Sequence, residues 1–397
     1  MPVDPRILAT TSRMPFAVDE IHKLGEEMGR FVVATDTFRE APGSHSRGVA
    51  EALITPPPTQ EPDAFVERVG QIIDQESINF VLPMFEEVFY LAANRNRLAE
   101  NHPGVEFFFA DLAALTVLND KVQFADLCER LGLPVATTVV ATTAEELEQA
   151  THRWDHWFAR AAFGRGGLDV VTNTGPLAAQ TSLDGITPSE DDPWLVQEFL
   201  TGEDRCSFSV VHHGEVVLHS VYRHPLTIDN RGGIVFESVD APDTLTAVQK
   251  IAKELNYHGQ ISMDYLMTDD GVHHMVECNP RPTAGVTVAT AAELDTALFN
   301  PVELVVVPAG RKKQIKAAVL RDSLLHPSKA RENFAAAKGA EGVYDQRKDH
   351  MPLIYSALSL RHLLAYRKVA GKERSSEQLV AAQFFDVLYD GSPLVQR

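Results

Sequence analysis

Two carboxylates and an amide in one predicted β-hairpin are the side chains of this sequence best suited to chemistry. Two β-rich arms flank Asp270-Gly271, a pair favoured in two-residue type I′ turns because both central residues accept a positive φ. With that loop, Asp264 lies directly opposite Glu277, and Asn279 lies two residues further along the same strand face. Opposed carboxylates with Cβ atoms about 5 Å apart repel each other, so they need a cation or a proton. Three oxygen ligands favour Mg²⁺ that bridges substrate phosphates.

A solvent-facing acidic hairpin explains the same residues, so other motifs must decide. The segment Phe163-Gly-Arg-Gly-Gly places Gly164, Gly166 and Gly167 between a strand and a turn, where backbone N–H groups could hold phosphate oxygens. A plain hairpin turn is the alternative. Arg160, three residues upstream of Phe163, could supply a fixed positive charge to the same phosphates.

A strand edge followed by a carboxylate is the pattern expected of a nucleotide-binding segment. Gln197, Glu198 and Leu200 lie in Val196-Gln-Glu-Phe-Leu-Thr-Gly-Glu, which suits recognition of adenine by the main chain. Glu203 ends this segment and suits recognition of a ribose. The alternative is an ordinary strand ending at the surface.

Three further segments carry charged candidates. Lys121 begins a predicted helix that Asn119 or Asp120 caps, and a solvated lysine is the alternative there. Arg231 lies on a polar loop that could close over phosphates, or is a plain exposed arginine. The Glu86-Glu87 pair follows a strand end, where open α/β sheets bind ligands, and there it could hold an amine or begin a solvated helix.

Length, composition and charge indicate a globular protein that binds small molecules. The chain has 397 residues, of which 44% are hydrophobic and 23% charged, so we expect two or three packed units. A formal net charge of −19 disfavours nucleic acid or an anionic membrane as the main partner. Residues 311–397 contain 16 Lys and Arg against 9 Asp and Glu, whereas the preceding part has 20 against 46. The end of the chain is therefore basic and the rest acidic.

Cysteine and apolar patterns indicate a cytoplasmic protein. Cys128, Cys206 and Cys278 lie far apart, without the spacing of a zinc site or a disulfide framework. The first residues lack the apolar core of a signal peptide, and no run approaches the roughly 20 apolar residues that span a bilayer. The doublets His212-His213 and His273-His274 alternate across strand faces without a partner at ligand spacing, so we expect no metal site there.

The predicted elements indicate an α/β protein of three parts. Residues 1–112 open with a βαβ pattern whose predicted helix runs from Ala17 to Gly29. A polar, proline-rich passage follows through Pro56-Pro-Pro-Thr, and the strands and helices after it complete a pattern typical of a doubly wound domain. Its first βα turn, Thr11-Ser-Arg-Met-Pro, lacks GxGxxG, so the nucleotide site is expected elsewhere. Residues 113–310 have the pattern of an α+β domain that the hairpin closes. Residues 311–397 form a small basic C-terminal segment with helical character.

The order and spacing of these motifs resemble those of an ATP-grasp enzyme. The resemblance covers roughly residues 1–310 and rests mainly on Glu277-Cys-Asn-Pro-Arg with Asp264 thirteen residues upstream. Within the superfamily the chain looks most similar to the synthetase half of carbamoyl-phosphate synthase large subunits, because Arg160 stands where most members carry Lys. It has one such unit where the full synthase has two, and nothing downstream resembles the synthase's oligomerisation or regulatory regions.

The resemblance implies an ADP-forming ligase that uses ATP and Mg²⁺, for which Mn²⁺ could substitute. ATP would phosphorylate a small carboxylate, and an amine or similar nucleophile would then displace phosphate. Arg281 and Arg231 would act on the reacting groups, with Arg281 suited to a carboxylate and its acyl phosphate. An enzyme that phosphorylates bicarbonate or carbamate, and a nucleotide-binding protein with a decayed site, are the alternatives. The resemblance is also compatible with a homodimer.

Overall fold

The structure is a computed structural model that describes residues 4–164, 169–228, 232–344, 349–366, 382–394 and 396. The chain forms two compact units. The first unit comprises Met1–Leu112, Ser207–Ser262 and Arg281–Arg397, and the second unit comprises Ala113–Cys206 and Met263–Pro280. Each unit therefore combines segments that are distant in sequence.

The elements of secondary structure follow in chain order. The strands are β1 Arg6–Thr10, β2 Phe31–Asp36, β3 Val49–Ile54, β4 Phe80–Pro83, β5 Glu106–Phe107, β6 Thr138–Ala141, β7 Trp157–Ala161, β8 Val170–Thr172, β9 Trp194–Glu198, β10 Glu203–His212, β11 Glu215–Ile228, β12 Gly232–Ser238, β13 Gly259–Met267, β14 His273–Asn279, β15 Val305–Val306, β16 Lys312–Gln314 and β17 Glu341–Gly342. The helices are α1 Pro15–His22, α2 Pro62–Glu76, α3 Glu87–Ala93, α4 Arg95–Asn101, α5 Leu112–Asn119, α6 Lys121–Arg130, α7 Ala144–Thr151, α8 Pro242–Glu254, α9 Ala291–Phe299, α10 Lys316–Leu325, α11 Ala330–Ala336, α12 Met351–Leu358 and α13 Leu360–Tyr366.

A five-stranded parallel sheet occupies the N-terminal part of the first unit. Its strands lie in the order β3, β2, β1, β4, β5, and all four pairs are parallel. Strands β1, β2 and β4 consist almost entirely of buried residues, as expected for a parallel sheet covered on both faces. The alternating βαβ pattern of the sequence thus corresponds to a real parallel sheet.

In this region the sequence predicted the first helix but missed one strand. The predicted helix from Ala17 to Gly29 appears as α1 followed by a π-helical turn over Lys23–Glu27, and Gly29 ends it with a φ of +69°. Strand β3 was missed, since the sequence there was interpreted as part of a polar, proline-rich passage. β3 lies at the sheet edge and is largely exposed, so it lacks the buried pattern that marks the central strands.

A second sheet of the first unit is mostly antiparallel and shares a core with the first. Strands β13, β10, β11, β12, β16 and β17 lie side by side in that order, and β15 pairs with β11. One buried cluster joins both sheets, and it includes Ile7, Leu82, Phe208, Leu218 and Leu294. The segments 1–112, 207–262 and 281–397 are therefore parts of one packed body.

The second unit contains a four-stranded antiparallel sheet and a hairpin. The sheet has the order β6, β9, β7, β8. Its core includes Leu147 of α7, Trp194 and Val196 of β9, and Ala159 of β7. The hairpin of β14 and the end of β13 belongs to the same unit. None of the described helices in either unit is long and apolar enough to cross a membrane.

A buried ion network fastens the end of the chain to the parallel sheet within the first unit. Arg13 follows β1, and its guanidinium lies 2.5 Å from Asp36 Oδ1 and 2.6 Å from Asp386 Oδ1. Thr37 also donates to Asp386. Burial alone would lower the pKa of Arg13, but the two carboxylates raise it above its ordinary value. The basic C-terminal segment is thus held by an acidic residue of its own.

Replacing Asp386 with Asn should lower the free energy of unfolding by about 3 kcal/mol or more, because Arg13 then stays buried with one neutralising charge instead of two. Asp390→Asn, at an exposed position four residues away, is the control and should change it by less than about 0.5 kcal/mol. Urea denaturation followed by circular dichroism measures both variants. Equal, small effects would show that the network does not hold the segment.

Candidate active site

The hairpin of β13 and β14 turns differently from the sequence-based prediction. Thr268 N donates to Val272 O at 3.0 Å, and Gly271 N donates to Thr268 O at 2.8 Å. The loop 269–271 therefore has three residues, of which only Gly271 has a positive φ, +81°. The predicted two-residue turn at Asp270-Gly271 is wrong, because the side chain of Asp270 accepts from Thr268 Oγ1 at 2.6 Å and stabilises the longer loop.

The same hairpin brings oxygen-bearing side chains together despite the different turn. Asn279 Nδ2 donates to Asp264 Oδ2 at 3.3 Å, so residues fifteen apart in sequence touch across the strands. Glu277 precedes Asn279 by two residues on β14 and is half-buried. The predicted direct opposition of Asp264 and Glu277 was counted from a two-residue turn, so the three-residue loop removes its basis. The roles of all three side chains remain predictions.

Two cations approach the carboxylate of Glu277. Lys121 Nζ and Arg160 Nη1 each lie 3.9 Å from Glu277 Oε2. Both cationic side chains are buried. Burial lowers the pKa of Arg160 from its ordinary value, while the charges of Glu277 and Asp264 oppose that shift. The site therefore concentrates buried positive charge beside a partly exposed carboxylate.

Arg160 is held by the strands on either side of it. It lies on β7, paired with Val170 of β8 and Leu195 of β9. Its Nη2 donates to the backbone oxygen of Val276 at 2.7 Å, which ties β7 to the hairpin. Its Nε is buried and has no hydrogen-bond partner among the described residues. A rigid guanidinium with unused donor capacity is suited to bind an anion.

Lys121 is fixed at the start of α6. Asp120 caps this helix by accepting from Val122 N at 2.8 Å, as the sequence predicted for Asn119 or Asp120. The lysine is not solvated, since it is 4% exposed and donates to the backbone oxygens of Ala162 and Gly164 at 3.1 and 2.8 Å. It thereby anchors the turn that follows β7. Gly166, Gly167 and Arg231 lie outside the described residues.

A cavity of about 270 Å³ lies beside Arg160 within the second unit. Its volume is slightly below the roughly 300–1,000 Å³ found for ligand pockets. Besides Arg160, the predicted residues Gln197, Glu198 and Leu200 line it. Apolar residues that were not predicted also line it, among them Phe158, Leu266 and Met275. Phe158 precedes Arg160 by two residues on β7, so period-two alternation could have identified it.

Two polar side chains of β9 that line this cavity already form hydrogen bonds with a neighbouring segment of the chain. Gln197 Nε2 donates to Thr138 Oγ1 at 2.8 Å, and Glu198 Oε1 accepts from Thr137 N at 3.0 Å and Thr137 Oγ1 at 2.9 Å. These contacts hold the segment that leads into β6 against β9. Any recognition of a base by this strand would therefore fall mainly to its backbone, as the sequence analysis proposed.

Of the adjacent carboxylates Glu203 and Asp204, it is Asp204 that lines the cavity. Glu203 Oε1 lies 2.7 Å from Arg205 Nη1. Burial raises the pKa of Asp204 above its ordinary value, and the negative charge of Glu203 adds to that shift. Asp204 was not predicted, because successive side chains of a strand point to opposite faces and the sequence does not show which of two neighbours points to the cavity. The role predicted for Glu203 remains a prediction.

The structure assigns Arg281 to the first unit, where it contacts Glu86 and Phe85. Its Nη2 lies 3.5 Å from Glu86 Oε1, and its guanidinium carbon lies 4.2 Å from the centre of the Phe85 ring. Glu86 also accepts from Tyr389 N at 3.1 Å. Glu87 is buried at its helix start, where Oε1 accepts from Thr10 Oγ1 at 2.5 Å and from the backbone of residue 84 at 3.0 Å. Its Oε2 is buried without a hydrogen-bond partner among the described residues.

Comparison with known proteins gives one partial match in sequence and several in structure. No protein-family model matches the chain. Over 237 residues it is 25% identical to the arginine-specific carbamoyl phosphate synthase large chain of Bacillus subtilis, and 26% identical to that of Geobacillus stearothermophilus. The first match covers 56% of this chain and 22% of that relative, so the chain spans about a fifth of the curated relative's length.

Three solved structures agree with this chain over most of its length. N5-carboxyaminoimidazole synthetase from Staphylococcus aureus, complexed with ADP, has a TM-score of 0.61 at 12% identity, covering 81% of this chain and 86% of that one. The biotin carboxylase domain of Hydrogenobacter thermophilus 2-oxoglutarate carboxylase has 0.57 at 16%, covering 77% and 73%. The L-amino acid ligase from Bacillus licheniformis has 0.54 at 16%, covering 76% of each chain.

The chain has an ATP-grasp fold. The similarity predicted from Glu277-Cys-Asn-Pro-Arg and Asp264 is thereby confirmed at the level of fold, together with the weak relationship to carbamoyl phosphate synthase large chains. In this ATP-grasp fold the cavity, the two buried cations and the oxygen-bearing hairpin all belong to the second unit.

Replacing Glu203 with Gln should lower the pKa of Asp204 towards its ordinary value, because the substitution removes the neighbouring negative charge. Side-chain carboxyl NMR titration of Asp204 measures the change. Glu145→Gln, at an exposed position on α7, is the control and should leave that pKa unaltered. An unchanged titration in the Glu203 variant would show that the two carboxylates do not interact.

Proposed function

We propose that the protein is an ATP-dependent ligase that activates a small carboxylate as an acyl phosphate and joins it to an amine or similar nucleophile. The observation that carries this proposal is the pair of buried cations, Lys121 and Arg160, each 3.9 Å from Glu277 beside a cavity. Phosphoryl transfer requires little covalent help from protein but much neutralisation of charge. The ATP-grasp neighbours, among them an L-amino acid ligase, support the same reaction class.

We assign the nucleotide to the cavity of the second unit. Its apolar walls, including Phe158 and Leu266, suit a purine ring, and the backbone of residues 197–200 suits the edge of adenine. Asp204 is our candidate for the ribose hydroxyls in place of Glu203. Lys121 and Arg160 would neutralise the phosphates, and Gly164 follows β7 close to Lys121. Gly166 and Gly167, which lie outside the described residues, are candidates for phosphate contact from their sequence alone. Neighbouring structures were determined with ADP, which supports this assignment.

The donor set of the hairpin fits Mg²⁺. Asp264, Glu277 and Asn279 offer carboxylate and amide oxygens, the hard ligands that Mg²⁺ or Mn²⁺ prefers. The 3.3 Å contact between Asn279 Nδ2 and Asp264 Oδ2 supports this assignment, because it brings the two side chains together across the strands. When bound there, the ion would neutralise charge on the β- and γ-phosphates. A magnesium-bound neighbour with ADP supports the same ligand class.

The proposed reaction has two chemical steps, and neither step requires a nucleophile from the protein. A carboxylate oxygen of the substrate attacks the γ-phosphorus of ATP, the bond to the β,γ-bridging oxygen breaks, and ADP leaves. The amine nitrogen then attacks the acyl carbon, a C–N bond forms, phosphate leaves and the nitrogen loses a proton. We assign Arg281 to the substrate carboxylate, since Glu86 and Phe85 hold its planar guanidinium in place. Arg231 is a second candidate for contact with the reacting groups.

A second candidate function is phosphorylation of bicarbonate or carbamate. The matches to carbamoyl phosphate synthase large chains favour it, and a biotin carboxylase neighbour was determined with bicarbonate. The matched region is 22% of the synthase, so the activity of that whole protein does not transfer. A nucleotide-binding protein without turnover is the remaining alternative, distinguished by ATP binding without ADP release.

We further propose the chain-order division into a doubly wound N-terminal domain of residues 1–112, an ATP-grasp domain of residues 113–310 and an accessory segment of residues 311–397. The parallel sheet of β1 to β5 supports the first of these.

We also propose a cytoplasmic location, which three buried free cysteines support. The net charge of −19 supports small-molecule partners over nucleic acid or membrane.

Trapping the intermediate tests the proposed function. With Mg-ATP, the acid substrate and hydroxylamine but no amine, a hydroxamate should form in step with ADP, because an acyl phosphate reacts readily with that small nucleophile. A screen of ADP release against amino acids, other small carboxylates and bicarbonate identifies the acid first. Formation of AMP and pyrophosphate, or a phosphorylated protein residue during turnover, would contradict the mechanism.

Replacing Glu277 with Gln should reduce ADP formation by about 100-fold or more, because it removes a charged ligand candidate from the phosphate site. Asp269→Asn, in the exposed loop of the same hairpin, is the matched control and should retain activity. Initial rates of ADP release at saturating Mg-ATP measure both variants, and thermal unfolding confirms that each is folded. Near-normal turnover of the folded Glu277 variant would exclude the assigned role.

A further inference from the structure

In the first unit, a carboxylate and two imidazoles meet at a place that shares no residue with the candidate active site. The ligand atoms of Glu106, His213 and His258 all lie within 4.8 Å of one another. His258 Nε2 lies 2.8 Å from Glu106 Oε1, and the rings of His213 and His258 are stacked with centroids 4.2 Å apart. His258 is buried, whereas Glu106 and His213 are exposed. A small ion can therefore reach the cluster from solvent.

Three chain segments are fastened to one another around this cluster. Gly214 N donates to Tyr257 O at 2.7 Å, which joins the turn carrying His213 to the loop carrying His258. The ring of His258 lies 4.7 Å from that of Phe108, two residues after Glu106. Gly259 has a φ of +128°, and a Cβ there would lie 3.0 Å from the Cα of Phe109. The backbone thus holds all three candidate ligands close together.

The turn itself does not require an imidazole. His213 and Gly214 connect β10 to β11, and their φ values are +46° and +89°. Such two-residue turns favour Asn or Asp before Gly. The histidine at this position therefore needs an explanation other than backbone geometry.

We propose that Glu106, His213 and His258 bind one divalent transition-metal ion of the Zn²⁺ type. Two imidazole nitrogens and one carboxylate oxygen form a donor set that suits Zn²⁺, Co²⁺ or Ni²⁺, whereas Mg²⁺ prefers oxygen ligands alone. Three protein ligands leave a fourth position for water or another small ligand. No metal site was predicted at His212-His213, because Glu106 and His258 are both distant from His213 in sequence.

Binding requires a small local rearrangement that the surroundings permit. Ligand atoms of a tetrahedral Zn²⁺ at about 2.0–2.1 Å lie roughly 3.3 Å apart, so Glu106 and His258 need only separate slightly from 2.8 Å. The His213 ring must rotate, because the lone pairs of stacked rings point in parallel directions, and its exposure leaves room for this. His258 Nδ1 has no hydrogen-bond partner among the described residues, so it can take the proton and release Nε2 for the ion.

The test is calorimetric titration of Zn²⁺ into the full-length chain without a histidine tag, after treatment with EDTA, in excess Mg²⁺ to occupy oxygen-ligand sites. We expect one equivalent of Zn²⁺ to bind. His213→Asn should weaken that binding at least tenfold while preserving the turn, since Asn is favoured at a positive φ. Glu106→Gln should also weaken it, without depending on the turn.

The matched control is His326→Ala. His326 also pairs with a carboxylate, 2.9 Å from Asp322 Oδ1, but within the described parts of the chain no third metal-ligating group completes a cluster there. This variant should bind Zn²⁺ as the unmodified chain does. No stoichiometric Zn²⁺ binding by the unmodified chain, or equal binding by the folded His213 and Glu106 variants, would overturn the proposal. Circular dichroism in EDTA establishes that each variant is folded.

Discussion

Burying two cations near one carboxylate is the electrostatic constraint on which the second unit depends. Lys121 and Arg160 are taken out of water, and each has Glu277 at 3.9 Å, a distance at which attraction is only partial compensation for lost hydration. Backbone oxygens add to this compensation, those of Ala162 and Gly164 for the lysine and that of Val276 for the arginine. The start of α6, the turn after β7 and the hairpin are therefore held in register by the groups that we assign to phosphate binding.

Among the described residues, the buried arginines Arg13 and Arg160 differ in how nearby carboxylates compensate their charge. Arg13 has two carboxylates within 2.6 Å, its pKa is raised, and the contact fastens the chain's end to the parallel sheet. Arg160 has a more distant carboxylate, and burial lowers its pKa. Saturated compensation favours a fixed structure, whereas incomplete compensation favours an added anion, such as a nucleotide phosphate.

Local motifs predicted two features of the candidate site. Asp120 caps α6, and Gln197, Glu198 and Leu200 line the cavity, while the roles assigned to these three residues remain predictions. Prediction failed for the hairpin loop, which has three residues instead of two. Asp204, which lines the cavity, was not predicted, because side chains of a strand alternate between faces and one residue of register decides which of them points there. Edge strand β3 was missed because exposure removes the hydrophobic pattern.

By itself, the sequence determined the parallel arrangement of the first strands, the resemblance to ATP-grasp enzymes and the chemical types of the side chains in the candidate site. These depend on local periodicity and on motifs within a few residues. Only the tertiary structure decided which distant residues meet. Segments 1–112, 207–262 and 281–397 share one core, Asp386 neutralises Arg13, and Glu106 joins His213 and His258. Such contacts depend on how packed surfaces fit together across more than a hundred residues, and no spacing along the chain encodes that fit.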